Sequence, residues 1–289
     1  MTFEWTAPDG EVFPCEEWTI PDTPRGVLVC VHGLSGAATD FSTLAAAAAG
    51  ESFATLAMNL RGQGWDPRVV RRGAFLDLPV IAEDVAAFVR MAKARFPGAP
   101  IILCGESMGA LIVSWTIAQG KMDTPVHGLL FSAPVVELKK PSPWHVRMAL
   151  RVLAVAAPDV RFYPAWFVSG KTEPLRVTRD EEHSKRVRSS PHFIRAYTFR
   201  FLQSFGELME ESRTLAARVR VPSLVLAAGQ DVFIRPEQVR GWFDCLAAEE
   251  KCFRLYPDAY HLLWNDFDRE AVLSDIRDWL RARAEVVNI

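Results

Sequence analysis

Gly105-Glu106-Ser107-Met108-Gly109 is the segment whose residue types and spacing could do chemistry. A serine hydroxyl becomes a useful nucleophile once a base takes its proton and an acid orients that base. Glycines two residues to either side let the chain reverse sharply, so that the hydroxyl stands exposed at the N-terminus of a following helix. The flanks suit this use. The apolar run Ile101-Ile102-Leu103-Cys104 precedes the motif as a strand, and Leu111 to Ala118 follows it as a helix. The bland alternative is a glycine-rich turn whose serine only caps that helix.

The base must come from six histidines: His32, His127, His145, His183, His192 and His261. At such an elbow the serine, the acid and the histidine follow one another along the chain. Only His261 stands in the loop after the last strand, within Pro257-Asp258-Ala259-Tyr260-His261, and it is assigned as the base. Asp231 is assigned as the acid, because Leu224 to Ala228 reads as a strand that runs into Gly229-Gln230-Asp231. Asp258 is a rival acid, but it lies so near His261 that shaping the Pro-Asp turn is its better role. Asp266 and Asp268 read as the start of the last helix. Acyl transfer also needs donors for an oxyanion. The backbone N–H groups of Leu34, in His32-Gly33-Leu34-Ser35-Gly36, and of Met108 are assigned to that task. His32 then reads as structural and Ser35 as a turn hydroxyl.

The elements that position these residues alternate. A hairpin, Phe3 to Thr6 and Val12 to Trp18 about Pro8-Asp9-Gly10, opens the chain. Continuous apolar runs follow at Val27–Val31, Ala54–Met58, Ile101–Cys104, Gly128–Phe131 and Leu224–Ala228, with a weaker one at Cys252–Tyr256. Unbroken apolar runs suit strands covered on both faces of a parallel sheet. Helical spacing marks Val80–Phe96, Pro236–Leu246 and Glu270–Ala284. Strands alternating with helices predict a doubly wound α/β domain with right-handed crossovers.

Residues 139–215 break the alternation and are read as a helical cap inserted between sheet strands six and seven, with the core at 1–138 and 216–289. Trp144, Met148, Val152 and Val155 keep helical spacing there, as do Tyr197, Phe201, Phe205 and Met209. Trp144, Met148, Trp166, Phe167, Phe201 and Phe205 offer apolar surface for an acyl pocket, and Trp144, Met148, Trp166 and Phe201 are taken as substrate contacts. Plain core packing is the competing role for each.

Composition narrows the class. The 289 residues are 49% hydrophobic and carry a formal net charge of -2, so one sizeable core is expected and a polyanion or nucleic-acid partner is not. A small apolar acyl ester is the expected substrate, with the tryptophans near the cap offered for transient contact with lipid surfaces. No stretch reaches the roughly 18 apolar residues of a membrane span, and the first residues lack the pattern of a signal peptide. The five cysteines show no paired spacing, and no CxxC or HExxH occurs. Neither a metal nor a cofactor is expected, and a reducing, cytoplasmic setting is.

Taken together, His32-Gly33-Leu34, Asn59-Leu60-Arg61-Gly62-Gln63-Gly64, the Ser107 elbow, Gly229-Gln230-Asp231 and Tyr260-His261 resemble the monoacylglycerol lipase and lysophospholipase-like branch of the α/β-hydrolases. The likeness covers nearly the whole chain. It implies an eight-stranded, mostly parallel sheet, a cap between strands six and seven, and hydrolysis of lipid-like carboxylic esters. It also carries the triad onto Ser107, Asp231 and His261. The chain departs from the family pattern Asp-x-Arg-Gly-His-Gly at Asn59 and Gln63, and has Ala110 where a further glycine is common. An aminopeptidase, amidase or thioesterase of the same fold remains open, as does a non-catalytic receptor. For an aminopeptidase, Glu173 or Asp180-Glu181-Glu182 would have to meet a free amine.

Overall fold

The computed structural model describes residues 1–163 and 175–286. Its strands are β1 (Thr2–Thr6), β2 (Val12–Trp18), β3 (Gly26–Val31), β4 (Phe53–Met58), β5 (Ile101–Glu106), β6 (Gly128–Ser132), β7 (Arg161–Phe162), β8 (Tyr197–Thr198), β9 (Ser223–Ala228) and β10 (Lys251–Tyr256). Eight of them form one sheet in the order β1-β2-β4-β3-β5-β6-β9-β10. β1 and β2 pair antiparallel with each other, β2 pairs antiparallel with β4, and every other neighbour is parallel. The eight-stranded, mostly parallel sheet implied by the resemblance is therefore present.

β3, β4, β5, β6 and β9 are buried at every residue, as unbroken apolar runs require when helices cover both faces. β10 closes the sheet at its edge and leaves Arg254 and Leu255 exposed, which is why its sequence signal is weaker.

The helices are α1 (Ser42–Ala49), α2 (Leu78–Arg95), α3 (Met108–Ala118), α4 (Trp144–Ala156), α5 (Glu181–Ser189), α6 (Phe199–Ala216), α7 (Pro236–Cys245) and α8 (Arg269–Val286). α1 and α8 cover one face of the sheet, burying Leu44, Val272, Ile276 and Leu280. α2, α3, α6 and α7 cover the other. Local chemistry sets the helix starts: Asp77 accepts from the Val80 N–H with Pro79 in the first turn of α2, and Thr198 accepts from the Phe201 N–H at α6.

Between β6 and β9 the described chain holds α4, α5, α6 and a short antiparallel ribbon of β7 with β8. Its two halves are unequal. Phe201, Phe205, Leu208 and Leu215 of α6 belong to the main core, whereas α4 buries no residue fully. The stripe Trp144, Met148, Val152 and Val155 faces solvent, Trp144 at 71% exposure. The partly covered side of α4 is instead Val146, Leu150 and Ala154. The helix is apolar on two faces, so spacing alone could not say which one packs.

A buried ion cluster pins the opening hairpin beneath the loop that follows β4. Arg61 bonds Asp84 of α2 at 2.7 and 3.0 Å, and reaches Asp9 and Glu11 at 2.7 Å. Arg71 ties Glu11 to Asp66, each at 2.7 Å. The Arg61 and Asp84 side chains are nearly inaccessible, so removing the guanidinium would strand a carboxylate away from water. Arg61→Ala is expected to lower the unfolding free energy by about 3–5 kcal/mol. Urea denaturation followed by tryptophan fluorescence checks this, and an unchanged midpoint would remove the cluster from the account of stability.

Candidate active site

β5 ends at Glu106, and Ser107 turns the chain into α3. Ser107 has φ 55° and ψ −117°, a left-handed conformation that costs an L-residue about 1–3 kcal/mol. The flanking glycines are steric requirements. A Cβ on Gly105 would sit 2.6 Å from the Ala110 Cα, and one on Gly109 would sit 2.2 Å from the Val31 carbonyl oxygen. α3 thus rests directly on the end of β3. The Ser107 side chain does not cap α3. It is hydrogen-bonded instead to His261 Nε2 at 2.9 Å.

His261 and Asp231 come from the loops after β10 and β9. These loops are in contact at Gly229, where an added Cβ would lie 2.1 Å from the Pro257 carbonyl oxygen. Two backbone bonds hold them together, Gly229 N–H to Tyr256 and Gln230 N–H to Ala259, both 2.9 Å. Across this seam the His261 Nδ1–H donates to Asp231 Oδ2 at 2.6 Å, leaving Nε2 to accept from Ser107. Asp231 Oδ1 accepts from the Phe233 N–H at 2.8 Å, and the Phe233 ring stands edge-on to the imidazole. The structure brings Asp231 to His261, while Asp258 is exposed. Ser107, Asp231 and His261 are all buried, Ser107 being the most accessible at 8%.

The electrostatics favour a charged imidazolium. Burial by itself pushes His261 towards its neutral form, but the charge and hydrogen bond of Asp231 outweigh burial, and Glu106 adds to them. The net effect holds the histidine's proton above its ordinary range. Glu106, one residue before the nucleophile, is buried, with Oε1 lacking a hydrogen-bond partner among the described residues. Burial, reinforced by Asp40, pushes its carboxyl up to about 8.

Gly33 abuts the nucleophile: a Cβ there would lie 2.8 Å from Ser107 Cβ and 3.4 Å from its Oγ. Leu34 follows, and its N–H makes no hydrogen bond among the described residues. Met108 is the first residue of α3, so its N–H has no acceptor within the helix. Leu34, next to Gly33, and Met108, next to Ser107, therefore each carry a backbone N–H with no acceptor among the described residues. His32 is fully buried, with Nδ1 bonded to the Gly33 carbonyl at 2.9 Å and Nε2 accepting from the Leu60 N–H at 3.1 Å. Burial holds it neutral, with its pKa down to about 4.

The residues named as substrate contacts are scattered. Trp144 and Met148 line a shallow surface groove with Arg147, Arg151 and Glu210, and no triad residue borders it. Their periodic spacing belongs to the solvent-facing side of α4, which is why the structure does not bring them to the site. Phe201 is buried against Tyr197, ring centroids 4.7 Å apart, in the packing role that competed with substrate contact. Trp166, Phe167 and Glu173 lie outside the described residues.

Asp266 does something the sequence did not suggest. It is fully buried and accepts from the Tyr260 and Arg179 N–H groups, each at 2.8 Å. It thereby anchors the His261 loop to the chain leading into α5, beside a Leu262 N–H to Val177 bond of 3.0 Å. Burial pushes its carboxyl up, but those backbone donors and Arg179 outweigh burial and hold it below its ordinary range. Asp268 meets Arg179 at 2.6 Å. Among the described residues no cluster of His, Cys, Asp and Glu could hold a metal ion, and no helix is long and apolar enough to cross a membrane.

Known proteins resemble this chain over most of its length. The family model described as serine aminopeptidase, S33, matches residues 22–268. A monoacylglycerol lipase of Mycolicibacterium smegmatis is 29% identical over 270 residues, spanning 91% of this chain and 90% of its own. A phospholipase of Bacillus subtilis is 26% identical over 258 residues, spanning 89% of this chain and 95% of its own. A soluble variant of the monoglyceride lipase of Saccharomyces cerevisiae, solved with a substrate analogue, covers 98% of this chain and 94% of its own with a TM-score of 0.83. At 19% identity, that last likeness is one of fold.

Proposed function

Because the chain belongs to the serine aminopeptidase S33 family and has the α/β-hydrolase fold, it is a serine hydrolase, and we propose that it cleaves carboxylic esters of lipid-like acyl chains, monoacylglycerols among them. The observation that carries this reading is the unbroken relay from Ser107 Oγ through His261 to Asp231, at 2.9 and 2.6 Å, on an elbow held left-handed.

In the proposed mechanism His261 takes the Ser107 proton as Oγ attacks the acyl carbonyl. Asp231 fixes the imidazole tautomer and stabilises the imidazolium. The Leu34 and Met108 N–H groups receive the charge that develops on the carbonyl oxygen, where preorganised donors act most strongly. His261 then protonates the departing alcohol and activates water against the acyl-enzyme. Residues 139–215 act as the cap over this site. The exposed apolar stripe of α4, flanked by Arg147 and Arg151, supports transient contact with lipid surfaces. Five free cysteines support a reducing, cytoplasmic setting.

The family's description favours a second reading, cleavage after recognition of a free amine. Two of the three residues in the acidic run offered for that are engaged elsewhere. Asp180 caps α5 through the His183 N–H at 2.9 Å, and Glu182 pairs with Lys185 on the surface. Turnover of p-nitrophenyl esters of rising chain length, of monoacylglycerols and of aminoacyl anilides separates the two. The expected result is ester cleavage with a preference for longer acyl chains. Cleavage of the anilides in preference to every ester would overturn it.

A further inference from the structure

Ser35 is a non-glycine residue held at φ 59°, in the left-handed region that side chains normally avoid. It follows Leu34 directly, so pinning Ser35 fixes the Leu34–Ser35 peptide and leaves only the two Leu34 torsions between that anchor and the Gly33–Leu34 peptide that carries the Leu34 N–H. Three bonds from outside the loop hold it there. Its N–H donates to Gln63 Oε1 at 3.0 Å. Its hydroxyl donates to the Ile194 carbonyl at 2.9 Å, and its Oγ lies 2.6 Å from the Tyr197 hydroxyl. With the Ser35 proton spent on Ile194, the Tyr197 O–H is the donor of that short bond. Gln63 Oε1 lies 3.5 Å from the same hydroxyl and closes the triangle.

Each partner is itself fixed. Tyr197 is 2% exposed and packs against Phe201 with the two rings tilted by 35°. Its neighbour Thr198 donates its N–H to the Gly73 carbonyl at 2.9 Å, and Arg161 of β7 bonds the Arg72 and Ala196 carbonyls. Burial pushes the Tyr197 phenol up, so it keeps its proton at working pH. Gln63 is 1% exposed and stands where the resembled family has histidine. Tyr197 and Ile194 arrive from the segment inserted between β6 and β9, 162 and 159 residues after Ser35.

We propose that Tyr197 is the positioning residue for oxyanion stabilisation, its hydroxyl and Gln63 together holding Ser35 in the left-handed turn that presents the Leu34 N–H beside Ser107. This rests on the proposed role of Leu34 and Met108 as oxyanion donors. The inserted segment thus contributes to the chemical step as well as covering the site: the turn is complete only while β8 is seated against the loop that holds Gln63.

Tyr197→Phe removes one oxygen and keeps the ring on Phe201. Deleting an oxyanion donor outright costs about 10² to 10³ in kcat, so misplacing one is expected to cost about 10-fold. The expected result with a p-nitrophenyl ester is a kcat about 10-fold lower, with KM and the melting temperature little changed. Affinity for a trifluoromethyl ketone, whose adduct places an oxyanion in the same donors, should weaken by the same factor as kcat. Ser35→Ala should do likewise, and the double variant should lose little more than either single one. An unchanged kcat, or a fall in kcat with undiminished ketone affinity, would overturn the proposal. Fluorophosphonate labelling of Ser107 tests the underlying reading separately. Labelled wild type with indifferent Tyr197→Phe fails only the positioning role, whereas wild type that resists labelling fails the serine mechanism itself.

Discussion

Ser107→Ala is expected to lower ester turnover by about 10⁴ to 10⁶-fold while leaving the protein folded. The size follows from the chemistry: without Oγ no acyl-enzyme forms, and only binding and the oxyanion donors remain to help water attack. The fold should survive because the substitution removes one oxygen whose hydrogen bond goes to His261. Alanine suffers the same left-handed φ as serine, and the glycine contacts at Gly105 and Gly109 are untouched. Single-turnover assay with a p-nitrophenyl ester, together with mass spectrometry after fluorophosphonate treatment, reads both halves. Loss of turnover and of the covalent adduct at an unchanged melting temperature is the expected outcome. A variant that still turns over at the wild-type rate would remove Ser107 from the mechanism.

Asp231→Asn is expected to lower kcat by about 10⁴-fold, since an amide presents its N–H to the imidazole and selects the wrong tautomer. Its pH profile should be diagnostic as well. In the native site His261 holds its proton above the ordinary histidine value of 6.5. The base works only when neutral, so kcat/KM should rise with pH through that raised value and fall away below it. Burial acts downwards on the histidine and is the largest single influence, while the charge and hydrogen bond of Asp231, helped by Glu106, act upwards. Removing the Asp231 charge leaves burial opposed only by Glu106, so the residual activity should titrate at lower pH. An acid limb that stays in place in Asp231→Asn would show that some other group sets the histidine's proton affinity.

The sheet was legible because its central strands are apolar at every position, a pattern with few other homes in a chain of this length. Ser107, Asp231 and His261 could be singled out for a related reason: each follows directly on a strand or its loop, and glycines at 105, 109 and 229 mark where backbones must approach. Tyr197, Gln63 and Asp266 carried no such mark. Their roles are set by single hydrogen bonds between residues far apart in sequence, 134 positions for Gln63 and Tyr197 and 87 for Arg179 and Asp266. A buried tyrosine or aspartate looks the same in sequence whether it caps, packs or positions. α4 failed differently. Apolar residues on two of its faces made its periodicity ambiguous, and which face is partly covered depends on where α4 meets α6, which no local pattern encodes. The β7–β8 ribbon, two residues from each strand, is too short for alternation to register at all.

The bond between Ser107 and His261 spans 154 residues of chain. On the ribosome the elbow can therefore be assembled, with β3, β5 and β6 already paired, long before its base has been synthesised. The proposed base reaches Ser107 from the loop after β10, the strand at the edge of the sheet, where that loop rests on Gly229. On the proposed mechanism, a chain cut short anywhere before His261 carries the nucleophile without its base and is expected to be inert.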